Sequence, residues 1–203
     1  MAPTASEKIT FPGSDGSPLA ARLDRPSGEP RAWALFAHCF TCSKDTVAAA
    51  RISRSLAEHG VAVLRFDFTG LGASGGDFAN TDFSSNLDDL VAAAGYLRQQ
   101  AGGPHILVGH SLGGAAVLGA APRIPEALCV ATVNAPCDPA HVTNLFGDQT
   151  EEIKQRGEAE VTLGGRTFRV RRGFLEDLKD QPMRQAIGAM RKALLVFHAP
   201  TDP

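Results

Sequence analysis

The chain has little of several residue types, and each scarcity excludes a class of protein. Its 203 residues include only four cysteines, too few for a small domain held together by a disulfide framework. Its 20 basic and 22 acidic residues give a formal net charge of −2, without the basic excess that binding to nucleic acid or to an anionic membrane requires. No stretch approaches the roughly 18 consecutive apolar residues that span a bilayer.

The N-terminus lacks the basic stretch followed by an apolar run that marks a secretory signal peptide, so we expect a cytoplasmic protein. Hydrophobic residues make up 43% of the chain, which argues against disorder and is enough for one domain with its own core.

Strands and helices alternate along most of the chain. Residues 6–12 and 17–26 predict two strands around a turn, and the apolar run at residues 32–37 predicts a strand buried on both faces. Helices are predicted at 43–59, 81–100 and from 111 to about 118, and further strands at 61–68, 105–108, 129–133 and 194–197. This alternation predicts an α/β fold with a mostly parallel sheet and helices on both faces.

Residues 137–191 interrupt the alternation. Residues 160–170 predict a β-hairpin that turns at Gly164-Gly165, and a helical stretch over 174–191 is interrupted near Pro182. We therefore expect a small cap at 137–191, inserted into a core of residues 1–136 and 192–203.

A short motif indicates nucleophilic catalysis. Residues 109–113, Gly-His-Ser-Leu-Gly, match G-x-S-x-G, with an apolar strand before and a helix of small residues after. In this strand–turn–helix setting the serine stands at a sharp turn, and the helix N-terminus favours developing negative charge. Ser111 is the predicted nucleophile; a glycine-rich turn that only tightens the junction is the alternative.

With this motif the chain resembles the α/β-hydrolase family. Residues 36–40, Phe-Ala-His-Cys-Phe, are similar to the family's oxyanion-hole segment, and residues 67–74 are similar to its D-x-x-G-x-G-x-S loop. Residues 198–202, His-Ala-Pro-Thr-Asp, resemble the strand end that carries the acid of the triad. The resemblance implies an α/β-hydrolase fold, a serine hydrolase without cofactor or metal, and a small-molecule ester as substrate.

The resemblance also implies roles for individual residues. The oxygen of Ser111 attacks a carbonyl, and the backbone N–H groups of Phe40 and Leu112 form the oxyanion hole. Asp202 orients the base. Asp138, which also follows a core strand, is the alternative acid because some family members place the acid there.

The general base is missing from this pattern. The family's order is Ser, Asp, His, but all six histidines precede Asp202, and His141 is the least improbable substitute. We expect that the last strand, the histidine loop and the last helix are absent, so the fold is C-terminally truncated. The truncation would leave an exposed sheet edge. The chain as given is then expected to have low activity.

A narrower resemblance concerns a fusion partner. Residues 37–41 and 196–202 are similar to the hydrolase domain that precedes an OsmC-like domain in some bacterial fusion proteins. This resemblance implies a C-terminal OsmC-like domain in the full-length protein. We expect a carboxylesterase for small or medium acyl groups; a non-catalytic scaffold or partner-binding domain is the second hypothesis.

Three further patterns have mainly structural explanations. Residues 70–75 match the dinucleotide-binding pattern G-x-G-x-x-G, but the next helix is predicted too late, near Thr81, to bind a pyrophosphate.

Cys39 and Cys42 form a C-x-x-C, and a thiol-redox function of this pair is the third hypothesis. We favour the structural explanation, in which two small residues fit a tight loop. The arginines at 166–172 favour a solvated face over an anionic substrate.

Overall fold

The computed structural model describes residues 5–202, arranged around a seven-stranded sheet. The strands are β1 (Ala5–Pro12), β2 (Pro18–Arg25), β3 (Ala32–Ala37), β4 (Val61–Phe66), β5 (Ile106–His110), β6 (Cys129–Val133), β7 (Glu158–Leu163), β8 (Arg166–Arg171) and β9 (Ala193–Phe197). The helices are α1 (Val47–Glu58), α2 (Phe83–Ala101), α3 (Leu112–Ala120), α4 (Gln149–Arg156), α5 (Arg172–Lys179) and α6 (Met183–Ala189).

The sheet has the strand order β1-β2-β4-β3-β5-β6-β9. The pairs β1–β2 and β2–β4 are antiparallel, whereas β4, β3, β5, β6 and β9 pair in parallel. The prediction of a mostly parallel sheet is therefore confirmed. Because parallel strands end at the same edge, the loops after β3, β5, β6 and β9 meet there.

Both faces of the sheet carry helices, and strand alternation distributes the side chains between them. Leu35 packs into the larger hydrophobic cluster, with side chains of α2 and α3, while Ala34 and Phe36 pack into a smaller cluster with α1. All three are at most 1% exposed. This explains why the sequence of β3 is a continuous apolar run.

The edge strand β9 is poorly covered. Residues 194–197 keep 43–58% of their surface exposed, although all are large and apolar. An apolar groove of about 760 Å³ lies between β9, β6 and helix α1. The predicted exposed sheet edge is thus confirmed.

Two helices begin later than predicted, each for a local reason. Helix α1 starts at Val47, not at residue 43, because the Thr46 side chain caps it by accepting the N–H of Ala49. Helix α2 starts at Phe83, where Asp82 and Ser85 form a capping box.

Between β6 and β9 the chain forms an antiparallel hairpin and several short helices. The hairpin β7–β8 turns at Gly164-Gly165 as predicted, and Pro182 separates α5 from α6. Helix α4 and a 3-10 segment (Pro139–Phe146) were not predicted. Buried residues of this segment share the larger hydrophobic cluster with the sheet; the exact bounds of the cap, 137–191, stay a prediction. Within residues 5–202, no helix is both long and apolar enough to cross a membrane.

Candidate active site

Ser111 occupies a sharp turn between β5 and α3. Its backbone has φ 53° and ψ −126°, a conformation that costs a residue other than glycine roughly 1–3 kcal/mol. Three backbone hydrogen bonds hold it: the N–H of Ser111 donates to the carbonyl of Val133 at 2.9 Å, and the carbonyl of Ser111 accepts the N–H groups of Gly114 at 2.8 Å and Ala115 at 3.3 Å. Strain maintained in this way is typical of a functional turn.

The neighbouring glycines are required by close backbone contacts. A Cβ at Gly109 would lie within 3.0 Å of the Gly113 carbonyl, and a Cβ at Gly113 would lie within 3.0 Å of the His38 carbonyl. Neither obstacle is a flexible side chain. The turn therefore needs glycine at both positions, which is the physical basis of the G-x-S-x-G pattern.

The loop after β3, residues 38–44, lies against the start of α3. We call it the β3 loop. Phe40 and Leu112, the two predicted oxyanion donors, line one small cavity together. Leu112 also lines the larger cleft that contains Ser111. The structure thus brings Phe40 next to Leu112, the residue after Ser111; that their N–H groups form the oxyanion hole stays a prediction.

A disulfide joins Cys39 and Cys42 within this loop. The sequence favours two small residues that fit a tight loop, and the structure adds a covalent bond between them. The N–H of Cys42 donates to the carbonyl of Cys39 at 3.1 Å, so the four residues also form a hydrogen-bonded turn. Cys129 and Cys137 have free thiols.

A buried ion pair anchors the other end of the β3 loop. Asp67, at the end of β4, accepts the backbone N–H of Lys44 at 2.6 Å and its ammonium group at 2.7 Å. The N–H of Ala73 donates to the same carboxylate at 2.8 Å. Asp67 is fully buried, so this network connects three chain segments at the carboxyl edge of the sheet.

His38 lies beside this network and is 1% exposed. Burial lowers the pKa of His38, partly offset by its backbone contact and by Asp67. Its Nδ1 donates to the Cys39 carbonyl at 2.8 Å, which leaves Nε2 as an acceptor without a hydrogen-bond partner. His38 is therefore a neutral structural group behind the loop.

A cleft of about 670 Å³ opens in front of Ser111. Its polar lining consists of Ser111, Asn134, Cys137, Asp138, His141, His198 and Asp202. The Oδ2 atom of Asp202 lies 3.5 Å from Nε2 of His198. Asp138 instead caps the following 3-10 segment, since its Oδ1 accepts the N–H of Ala140 at 2.9 Å. Of the two candidate acids, Asp202 is the one that faces a histidine.

Sequence reasoning missed Asn134, which fixes the position of the Asp202 loop. The side-chain oxygen of Asn134 accepts the N–H of Ala199 at 3.0 Å, and the backbone N–H of Asn134 donates to the carbonyl of Phe197 at 2.8 Å. Asn134 has φ 46°, a region that asparagine tolerates better than most residues. An asparagine directly after a core strand was the available signal.

The remaining histidines do not complete a triad. His110 is the last residue of β5 and is half-buried; burial lowers its pKa, and Asp202 partly offsets this effect. Within residues 5–202, no histidine ring forms a hydrogen bond to the hydroxyl of Ser111. The group that would accept the serine proton is therefore not assigned by these contacts.

The glycine-rich loop at 70–75 has a structural role. Gly72 has φ 56°, and a Cβ there would collide with the Asp67 carboxylate. The next α-helix starts only at Phe83, too late to present its N-terminus to a pyrophosphate. In the described part of the chain, no group of three or more His, Cys, Asp or Glu side chains has the arrangement of a metal site.

Comparisons with known proteins agree with this geometry. The sequence signature of the alpha/beta hydrolase family matches residues 34–202. The chain therefore belongs to the alpha/beta hydrolase family, and its fold is the alpha/beta hydrolase fold.

Among solved structures, an esterase domain from a Rhodothermus marinus protein is 50% identical, with a TM-score of 0.75 over 97% of this chain and 77% of that one. Est1E from Butyrivibrio proteoclasticus with bound ferulic acid is 23% identical, with a TM-score of 0.79 over 93% of this chain and 77% of that one. XC6422 from Xanthomonas campestris, a serine hydrolase without a lid, is 21% identical, with a TM-score of 0.61 over 99% and 86%. No curated protein matches in sequence. The first similarity places the chain beside esterases within the family; the other two concern the fold alone.

Proposed function

We propose that this protein is a serine carboxylesterase that acts on small or medium acyl esters. The observation that carries the proposal is the strained Ser111 turn, which opens on a cleft that also contains Asp202. The 50% identity to an esterase domain supports the same reaction class. No cofactor is needed for this chemistry.

In the proposed mechanism, the Ser111 hydroxyl attacks the ester carbonyl and forms a tetrahedral intermediate. The backbone N–H groups of Phe40 and Leu112 would bind the oxyanion, supported by their shared cavity and by the α3 N-terminus. The alcohol leaves, an acyl-serine remains, and water releases the acid by the same route. Asp202 would orient the base, since it lies in the same cleft.

We place the base on a histidine encoded after Pro203, because the triad of this family runs in the order Ser, Asp, His. His198 and His141 line the cleft and are the alternatives. The coding sequence beyond Pro203 and alanine variants of each candidate distinguish them. His198→Ala and His141→Ala are expected to keep most of the activity. A thousandfold loss of activity in either variant would identify that histidine as the base.

Hydrolysis of short-chain p-nitrophenyl esters by the full-length natural protein tests the function. Ser111→Ala is expected to lower kcat at least about a thousandfold. Ser6→Ala, on the exposed strand β1, is the matched control and is expected to keep full activity. If Ser111→Ala hydrolyses the esters as well as the unchanged protein, the proposal is wrong.

The second candidate is a scaffold or partner-binding domain, next to an OsmC-like domain in the full-length protein. It is supported by the lack of a hydrogen-bonded base at Ser111 within residues 5–202. A covalent fluorophosphonate probe separates the two functions, because it labels only an activated serine. Labelling of Ser111 in the full-length protein supports the esterase, and a failure to label favours the scaffold.

A further inference from the structure

The disulfide in the β3 loop encloses one of the two proposed oxyanion donors. Cys39 and Cys42 are bonded, and their Cα atoms are 5.4 Å apart. Phe40 lies between them in sequence and shares a cavity with Cys39 and Leu112. The position of the Phe40 amide therefore depends on the conformation of a four-residue ring.

That conformation is unfavourable for the residues that adopt it. Thr41 has φ 59°, in the left-handed region that is rare for β-branched side chains and costs roughly 1–3 kcal/mol. The described contacts include three restraints on the ring: the disulfide, the hydrogen bond from Cys42 to Cys39, and a donation from the Arg166 side chain to the carbonyl of Thr41. Loss of the covalent restraint lets Thr41 relax toward negative φ.

The disulfide is also placed for exchange with an external thiol. Both cysteines are half-buried rather than enclosed. The guanidinium group of Arg166 donates to the carbonyl of Thr41, so a positive charge lies against the backbone between the two cysteines. A nearby cation stabilises a thiolate, the species that leaves when a disulfide is attacked.

We propose that Cys39 and Cys42 form a reversible redox site that controls the oxyanion hole. The disulfide form holds the Phe40 amide in place, and the dithiol form turns over esters more slowly. The reductant is a dithiol, either a small molecule or a protein. This inference rests on the proposed esterase function, whose oxyanion hole it regulates.

The chemistry balances as a thiol–disulfide exchange. A thiolate of the reductant attacks one sulfur of the pair, forms a mixed disulfide and releases the other cysteine as a thiolate, which takes up a proton. The second thiol of the reductant then breaks the mixed disulfide and releases the second cysteine. Two electrons and two protons pass to Cys39 and Cys42, and the reductant leaves as its disulfide.

The experiment equilibrates the full-length natural protein in mixtures of reduced and oxidised dithiothreitol. Alkylation and mass spectrometry count the free thiols among residues 1–203, while p-nitrophenyl acetate hydrolysis gives kcat and KM. Hydrogen exchange of the peptide covering residues 38–46 reports on the loop without requiring turnover. We expect two free thiols when oxidised and four when reduced, with kcat about tenfold lower on reduction, KM nearly unchanged and faster exchange in the loop.

Two variants complete the test. Cys39→Ser/Cys42→Ser is expected to show the lower kcat and no response to dithiothreitol, whereas Cys129→Ser, a free cysteine in β6, keeps the full response. Equal kcat and equal exchange in both redox states would overturn the proposal, as would a pair that never forms a disulfide. If neither state hydrolyses esters, the esterase function fails and the exchange measurement still decides whether the pair controls the loop.

Discussion

The carboxylate of Asp67 binds Lys44 twice, through the backbone N–H at 2.6 Å and through the ammonium group at 2.7 Å. The Lys44 side chain is 9% exposed and that of Asp67 is fully buried, so neither charge is shielded by water. This pair fixes the end of the β3 loop relative to β4. It gives the proposed oxyanion donor at Phe40 a rigid support.

Asp67→Asn is expected to destabilise the fold by about 3 kcal/mol, because it removes the buried carboxylate from the Lys44 ammonium, which keeps only the half-exposed carboxylate of Asp45 at 3.2 Å. Urea unfolding measures the change. The control is Asp88→Asn, since Asp88 pairs with Arg123 at the surface with both side chains nearly half exposed. The control is expected to cost less than about 1 kcal/mol; equal losses in the two variants would show that the Asp67 network is not a structural anchor.

Gly113→Ala is expected to disrupt the serine turn, because the added Cβ meets the carbonyl of His38. The backbone must shift, and we expect kcat to fall by at least about a hundredfold, since misplaced donors lose most of the oxyanion stabilisation. Gly188→Ala is the matched control: a Cβ there meets nothing within 4 Å in helix α6. It is expected to stabilise the fold by about 0.5 kcal/mol without a change in kcat. An active Gly113→Ala enzyme contradicts the prediction.

His38 is expected to make the fold less stable in acid. Its pKa is lowered by burial from the ordinary value of 6.5. Below about pH 6.5 the imidazole is therefore protonated in the unfolded chain but not in the folded chain. Stability is then lost as the pH falls, at up to about 1.4 kcal/mol per pH unit from this residue. Urea unfolding at pH 7.5, 6.5 and 5.5 measures the slope.

The slope should decrease in His38→Gln, because the glutamine side chain does not titrate. His110 still adds to the slope in this variant because burial also lowers its pKa. An unchanged slope in His38→Gln means that His38 does not titrate as the structure requires.

The exposed strand β9 predicts self-association of the 203-residue chain. Leu195 is 55% exposed on an unpaired, apolar edge, the kind of edge that pairs with other chains. Leu195→Lys is expected to reduce concentration-dependent association in sedimentation velocity. Gln100→Lys, which adds the same charge at an exposed position in α2, separates edge pairing from a general charge effect. If both variants reduce association equally, β9 is not the contact.

Much of the core was predictable because its signals are local. The continuous apolar run of β3 and the glycines around Ser111 each act within a few residues of chain. Helix α4 gave no such signal, since its eight residues are mostly polar and only Ile153 is buried. A short polar helix of this kind is held by tertiary packing rather than by its own pattern.

The surroundings of the proposed oxyanion hole depend on contacts between distant residues, which the sequence does not reveal. Arg166 reaches Thr41 across 125 positions, and Lys44 meets Asp67 across 23. The C-x-x-C spacing allowed a bond between Cys39 and Cys42 but did not require it. Only the fold shows that the loop is tied to β4, to the hairpin β7–β8 and to itself.

The hydrogen bonds between Asn134 and the loop after β9 affect the order in which the proposed catalytic residues come together during synthesis. The serine turn is complete once β6 supplies the carbonyl of Val133, whereas Asp202 reaches its place only when β9 has paired with β6. Because translation proceeds from the N-terminus, the ribosome exposes a folded nucleophile well before its proposed acid partner. A nascent chain that has not yet paired β9 with β6 therefore carries Ser111 without its proposed acid partner, so the proposed hydrolysis requires at least this pairing.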